Sequence, residues 1–222
     1  MFRIKVCGIT RELDIDVCRR AGVDAIGFNF YSPSPRSVGV DRAARLATHA
    51  GGLFRVGLFV NSSRDEIAQV LREVELDAIQ LHGDEPPTFL TQLAETAPRL
   101  PLVRAWRLAP GGLDAACRYV DAAYDAGRAP DALLIDAVAP GVYGGSGHRA
   151  PWTDVPLLRS RLPDMRLILA GGLTPSNVAE AIRVASPDGV DTASGVESAP
   201  GIKDASLVEG FATAAEVELA AR

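Results

Sequence analysis

Eight short apolar runs punctuate this chain, at residues 2–6, 24–28, 54–60, 77–81, 101–106, 131–135, 166–170 and 188–192. They read as continuous rather than alternating, the pattern of parallel strands covered on both faces. Four look like copies of one another: Asp24-Ala25-Ile26-Gly27-Phe28, Asp77-Ala78-Ile79-Gln80-Leu81, Asp131-Ala132-Leu133-Leu134-Ile135 and Asp188-Gly189-Val190-Asp191-Thr192. Each follows an amphipathic stretch, and the copies recur at the length of two strand–helix units, roughly fifty residues. The intervening stretches carry helical periodicity. Ile67, Val70, Leu71 and Val74 form one stripe, led by Ser63 with Glu66 three residues later, which predicts a capping box. Thr174-Pro175 predicts a second helix start, a cap followed by proline, with Val178, Ala181, Ile182 and Ala185 on one face. Strand and helix signals that alternate eight times predict an α/β protein, a (β/α)8 TIM barrel rather than an open sheet.

Composition narrows the class. A chain of 222 residues with 47% hydrophobic content can bury one sizeable core. No linker or low-complexity stretch divides it, so residues 1–222 are expected to form one domain. A net charge of −5 with scattered arginines gives no reason to expect nucleic acid as a partner. No run reaches the roughly 18 apolar residues of a membrane span, and the amino terminus enters a strand without an export signal, so no membrane partner and a cytoplasmic location are expected. Asn61-Ser62-Ser63 matches the glycosylation pattern but falls at a strand-to-helix junction, and is taken as chance.

Three cysteines, Cys7, Cys18 and Cys117, form neither an even set nor a metal-binding spacing. Cys18 and Cys117 fall within predicted helices, where a free thiol behaves as a small hydrophobe. Cys7 stands at the carboxyl end of the first strand, where a barrel keeps its reactive groups, although a packing role fits that position equally. Asp136 ends the run Leu133-Leu134-Ile135. An apolar setting disfavours the charged carboxylate and suits it to donate a proton, while the alternative is a capping hydrogen bond. Gly171-Gly172 and Ser194-Gly195 follow the seventh and eighth strands. They can bring backbone N–H groups close to a phosphate, or simply make tight turns. Gly144-Gly145-Ser146-Gly147 reads as a loop able to fold over a ligand. Arg36 lies in Ser32-Pro33-Ser34-Pro35-Arg36, where two prolines are expected to hold the backbone extended and present the guanidinium to a carboxylate or phosphate. A solvated loop arginine is the alternative there. His82 ends the fourth strand and is read as a pocket wall. The four repeated aspartates precede their strands, so they are assigned to the opposite face and given no chemistry.

Taken in order, Lys5-Val6-Cys7-Gly8-Ile9-Thr10, Gln80-Leu81-His82-Gly83-Asp84-Glu85, Leu134-Ile135-Asp136, Gly144-Gly145-Ser146-Gly147, Ala170-Gly171-Gly172-Leu173 and Ser194-Gly195-Val196-Glu197 resemble the signature segments of the phosphoribosylanthranilate isomerase family. Two departures stand out: Ser146 where threonine is usual, and Thr192-Ala193 where Val-Ser is usual. The resemblance implies the Amadori rearrangement of N-(5-phosphoribosyl)anthranilate in tryptophan biosynthesis, with Asp136 as general acid and Cys7 as general base. It further implies that Arg36 binds the anthranilate carboxylate, that His82 lines the pocket, and that Gly171, Gly172, Ser194 and Gly195 hold the phosphate. The implied partner is a small phosphosugar substrate, no metal or organic cofactor is needed, and the protein is expected as a monomer or homodimer. A free thiol is only a few per cent ionised at pH 7, so Lys5, on the same side of the strand, and the phosphate cradle are candidates for favouring the thiolate. Rival readings are another phosphate-binding barrel enzyme of the same pathway and a non-catalytic phosphosugar-binding barrel.

Overall fold

The computed structural model describes residues 1–109, 111–137 and 151–221. Eight parallel strands, β1 (Ile4–Cys7), β2 (Ala25–Asn29), β3 (Phe54–Phe59), β4 (Ala78–Leu81), β5 (Leu102–Leu108), β6 (Ala132–Ala137), β7 (Arg166–Leu169) and β8 (Gly189–Thr192), form a closed barrel. Around it run the helices α1 (Glu12–Arg20), α2 (Val40–His49), α3 (Arg64–Glu73), α4 (Pro87–Thr96), α5 (Leu113–Asp125), α6 (Val155–Arg161), α7 (Val178–Ala185) and α8 (Ala205–Ala220). A two-stranded hairpin, β9 (Glu197–Ala199) and β10 (Ile202–Lys203), lies between β8 and α8. The expected (β/α)8 architecture is therefore present. Among the described residues no helix is long and apolar enough to cross a membrane.

Because strand side chains alternate between faces, parity sorts every strand residue into one of two cores. Ala25, Val56, Ala78, Val103, Ala132, Leu134 and Ile168 pack inside the barrel, where alanines keep a narrow interior filled. Ile4, Val6, Ile26, Ile79, Leu133, Ile135 and Val190 belong to the larger core shared with the helices. Each fully buried aliphatic side chain there contributes about 1.5–3 kcal/mol.

The repeated aspartates have a structural explanation. Each precedes an even-numbered strand and reaches across to the odd strand before it. Asp24, Asp77, Asp131 and Asp188 accept, through one carboxylate oxygen, the backbone N–H of Ile4, Arg55, Leu102 and Leu167 at 2.7–2.8 Å. The backbone N–H of each aspartate in turn donates to the carbonyl of that same residue. One motif used four times thus closes the amino-terminal rim, and the repeat in the sequence is the repeat of this clamp.

Two local expectations need correction. The helix expected to start at Thr174-Pro175 starts at Val178 with Asn177 at its N-cap. The Asn177 side chain accepts from the Thr174 N–H at 2.8 Å and donates to the Gly172 carbonyl at 3.0 Å, winding residues 174–177 into a turn that braces the glycines. The apolar stripe from Val178 to Ala185 is buried as expected. The Ser63 capping box on α3 is also present. Residues 31–37, expected to be extended, make two successive turns, Ser34 N–H to the Tyr31 carbonyl and Ser37 N–H to the Ser34 carbonyl. Pro35 takes the second position of the later turn, which proline fits as readily as an extended chain, and side-chain hydrogen bonds decide between them. Asn29 donates to Ser34 Oγ at 3.1 Å, and that oxygen also accepts the Arg36 N–H.

Candidate active site

The same parity that builds the inner core aims polar side chains into a cavity at the carboxyl ends of the strands. Asp136 follows Ala132 and Leu134 at inward positions of β6, His82 follows Ala78 and Gln80 on β4, and Lys5 and Cys7 share the inward face of β1. Asn29, Arg36, Gln80, His82, Asp136 and Asp191 line this cavity together with Gly171, Gly172, Ser194 and Gly195. The sequence-derived site residues Arg36, His82, Asp136, Gly171, Gly172, Ser194 and Gly195 are therefore brought together. Residues 144–147, read as a covering loop, lie outside the described residues.

His82 is more than a wall. Its Nε2 lies 3.0 Å from Asp136 Oδ2, both side chains being buried, and Asp136 Oδ1 accepts the Ala137 N–H at 2.8 Å. Gln80 Nε2 faces the other ring nitrogen, Nδ1, at 3.3 Å, and the Gln80 carboxamide oxygen is buried without a partner. The ring is thus held at both nitrogens, by Gln80 and by Asp136. The turn after His82 is itself clamped. Glu85 accepts from the N–H groups of Asn61 and Gly83, and buried Arg104 bonds Glu85 and the carbonyls of Leu81 and Gly83.

Cys7 is 6% exposed and packs with Leu58 and Ala193, both of which line the cavity, but Cys7 is not itself among the lining residues and sits behind these two. Burial pushes its thiol up; the Lys5 ammonium opposes this, Asp191 adds to it, and Lys203 opposes it. Lys5 is fully buried and pairs with Asp191 at 2.8 Å, an alignment short of a hydrogen bond, across the β1–β8 seam where the two residues are register partners. Burial likewise pushes the Asp191 carboxyl up against the pull of Lys5. Lys5 thus divides its charge between a thiol and a carboxyl, and it does not by itself make Cys7 acidic. Cys18, pushed up to about 12 by burial, and Cys117 are buried in α1 and α5 as the helical pattern implies.

The glycines create room as well as turns. Gly171 and Gly172 adopt φ of +79° and +63°, and a Cβ on Gly171 would lie 2.7 Å from the Ala137 nitrogen. A Cβ on Gly195 would collide with the Leu173 carbonyl oxygen. That same oxygen accepts from Thr192 Oγ1 at 2.8 Å, so the departure at Thr192 ties the two glycine segments together. Gly8, at φ +76°, leaves space for the Arg36 stem, whose Cδ would lie 2.7 Å from a Cβ there. Asn29, Ser34, Gln80, Asp191, Glu197 and Lys203 escaped the sequence reading as site residues. Lys5, Gln80 and Asp191 carried a usable signal, a polar residue inside an apolar strand at the parity of the site.

Residues 4–214 match the family model for N-(5'-phosphoribosyl)anthranilate (PRA) isomerase. The chain is 46% identical over 217 residues to the N-(5'-phosphoribosyl)anthranilate isomerase of Myxococcus xanthus, covering 96% of each chain. The crystal structure of phosphoribosyl anthranilate isomerase from Thermotoga maritima superposes with a TM-score of 0.84 at 34% identity, covering 98% of this chain and all of that one. A structure of such an isomerase in complex with reduced 1-(o-carboxyphenylamino)-1-deoxyribulose 5-phosphate gives 0.81 at 33% identity, again over 98% of this chain and all of that one.

Proposed function

This chain belongs to the N-(5'-phosphoribosyl)anthranilate isomerase family, and from that premise we propose that its cavity rearranges N-(5-phosphoribosyl)anthranilate with Asp136 as acid and Cys7 as base. Family membership makes the protein an enzyme, an isomerase of tryptophan biosynthesis. The observation that carries the assignment of roles is the buried His82–Asp136 hydrogen bond, in a cavity that Gly171, Gly172, Ser194 and Gly195 also line.

Asp136 gives its proton to the furanose ring oxygen as the C1–O bond breaks, and the anilino nitrogen lone pair forms the C=N bond of a protonated Schiff base. The iminium acidifies C2. Cys7, as thiolate, takes the C2 proton, and the electron pair moves into a C1=C2 bond that neutralises the nitrogen. Return of a proton to C1 and loss of the C2 hydroxyl proton give the ketone, 1-(2-carboxyphenylamino)-1-deoxyribulose 5-phosphate. The substrate's iminium is the electron sink. It also adds a positive charge beside a thiol that burial otherwise keeps protonated.

Phosphate is held by backbone N–H groups of Gly171, Gly172, Ser194 and Gly195, three of which have no Cβ to stand between backbone and ligand. Arg36 takes the anthranilate carboxylate. The test is direct: purified protein mixed with freshly made N-(5-phosphoribosyl)anthranilate removes its fluorescence at a rate proportional to enzyme. Decay no faster than the uncatalysed background overturns the reading.

A further inference from the structure

Arg36 has its Nε–Nη2 edge already engaged. Nε and Nη2 donate to Oε1 and Oε2 of Glu197 at 2.9 and 2.8 Å, a bidentate fork. Glu197, on β9, also accepts from Lys203 Nζ at 2.8 Å, and Lys203 is its register partner on β10. Lys203 donates besides to the Ala193 carbonyl at 2.9 Å, which anchors the hairpin to the end of β8. Burial works against the Glu197 carboxylate, yet the hydrogen bonds from Arg36 and the charge of Lys203 hold it below its usual range. One carboxylate between two cations leaves the cluster with a net positive charge. At its other end, Arg36 is fixed where its stem passes Gly8. Among the described residues nothing is hydrogen-bonded to Nη1, and Arg36 lines the cavity.

We propose that Glu197 is the positioning residue that aims Arg36, so that the aryl carboxylate of the substrate docks on the Nη1–Nη2 edge, while Lys203 offsets the negative charge that would otherwise cancel the attraction. The inference rests on the assignment of Arg36 to the carboxylate. It makes the hairpin after β8 a determinant of selectivity for a carboxylated arylamine, and gives a role to the last residue of Ser194-Gly195-Val196-Glu197.

Calorimetry with two probes separates the possibilities: the reduced product analogue bearing the ortho-carboxyl, and its phenylamino counterpart lacking it. Wild type prefers the first. Arg36→Met collapses that preference, and Glu197→Gln lowers it by at least about fivefold while the affinity for the decarboxylated probe stays within about twofold. Should Glu197→Gln fail to fold, Glu197→Gln with Lys203→Met keeps the cluster's net charge and carries the same expectation. An Arg36→Met variant that retains the preference overturns the Arg36 assignment itself. If Arg36→Met collapses the preference but the Glu197 variants keep or strengthen it, Arg36 binds the carboxylate without Glu197 aiming it, and the inference fails.

Discussion

His82 Nε2 and Asp136 Oδ2 lie 3.0 Å apart, which joins strand β4 to strand β6 through one buried hydrogen bond at the cavity wall. Asp136 is thereby held at both oxygens, one by His82 and the other by the Ala137 N–H. Orientation of this kind is worth one to two orders of magnitude when a supporting group is removed. His82→Asn should lower kcat by about 10- to 100-fold, less than Asp136→Asn, in initial-rate assays. A loss confined to KM would assign His82 to binding rather than to holding the acid.

Burial raises the Cys7 thiol above its ordinary 9.0, and in the proposed reaction the base is its thiolate. An enzyme that needs the thiolate together with a protonated acid should therefore show a break in kcat/KM on the alkaline side of 9.0, set by the raised thiol. Lys5 is the principal opponent of burial, and Lys5→Met should move this break further to the alkaline side. A break that keeps its position in Lys5→Met would contradict the assignment to the thiol.

Phosphate affinity should depend on the absent side chain at Gly195. A methyl group there meets the Leu173 carbonyl oxygen and forces the two glycine segments apart. Gly195→Ala is expected to raise the inhibition constant of inorganic phosphate by about tenfold or more. An unchanged constant would place the phosphate elsewhere.

The amino-terminal clamps make a prediction about stability. Partial burial works against the Asp77 carboxylate, but hydrogen bonds from the Arg55 side chain and N–H hold it below its ordinary 3.8. Its contribution is complete above that value, where the unfolded chain's carboxyl is also ionised, and is lost as pH falls through the lower folded value. Asp77→Asn should therefore lower the urea midpoint at pH 7, with the gap narrowing as pH falls below 3.8 and wild type becomes protonated. An equal gap at pH 7 and well below 3.8 would show that charge plays no part in the clamp.

Much of this was legible because barrels write themselves into sequence locally. Strands buried on both faces make continuous apolar runs, and the fourfold aspartate gave the period before its cause was visible. Cys7 and Asp136 could be found because they end such runs. What stayed hidden depends on contacts far apart in the chain. Glu197 meets Arg36 across 161 positions, and Asp191 meets Lys5 only because the barrel closes β8 onto β1. Nor does local pattern reveal that Asn29 and Ser34 bend a proline-rich loop into turns, or that Asn177 delays a helix by a few residues. In both places side-chain hydrogen bonds override the backbone preference of the neighbouring residues.

The turnover numbers of Cys7→Ser and Asp136→Asn, each measured on protein shown to be folded by its thermal transition, test the paired roles most directly. Both should fall by at least about a hundredfold, the usual consequence of losing a general acid or base. Turnover within a few fold of wild type for either variant would remove that residue from the chemistry.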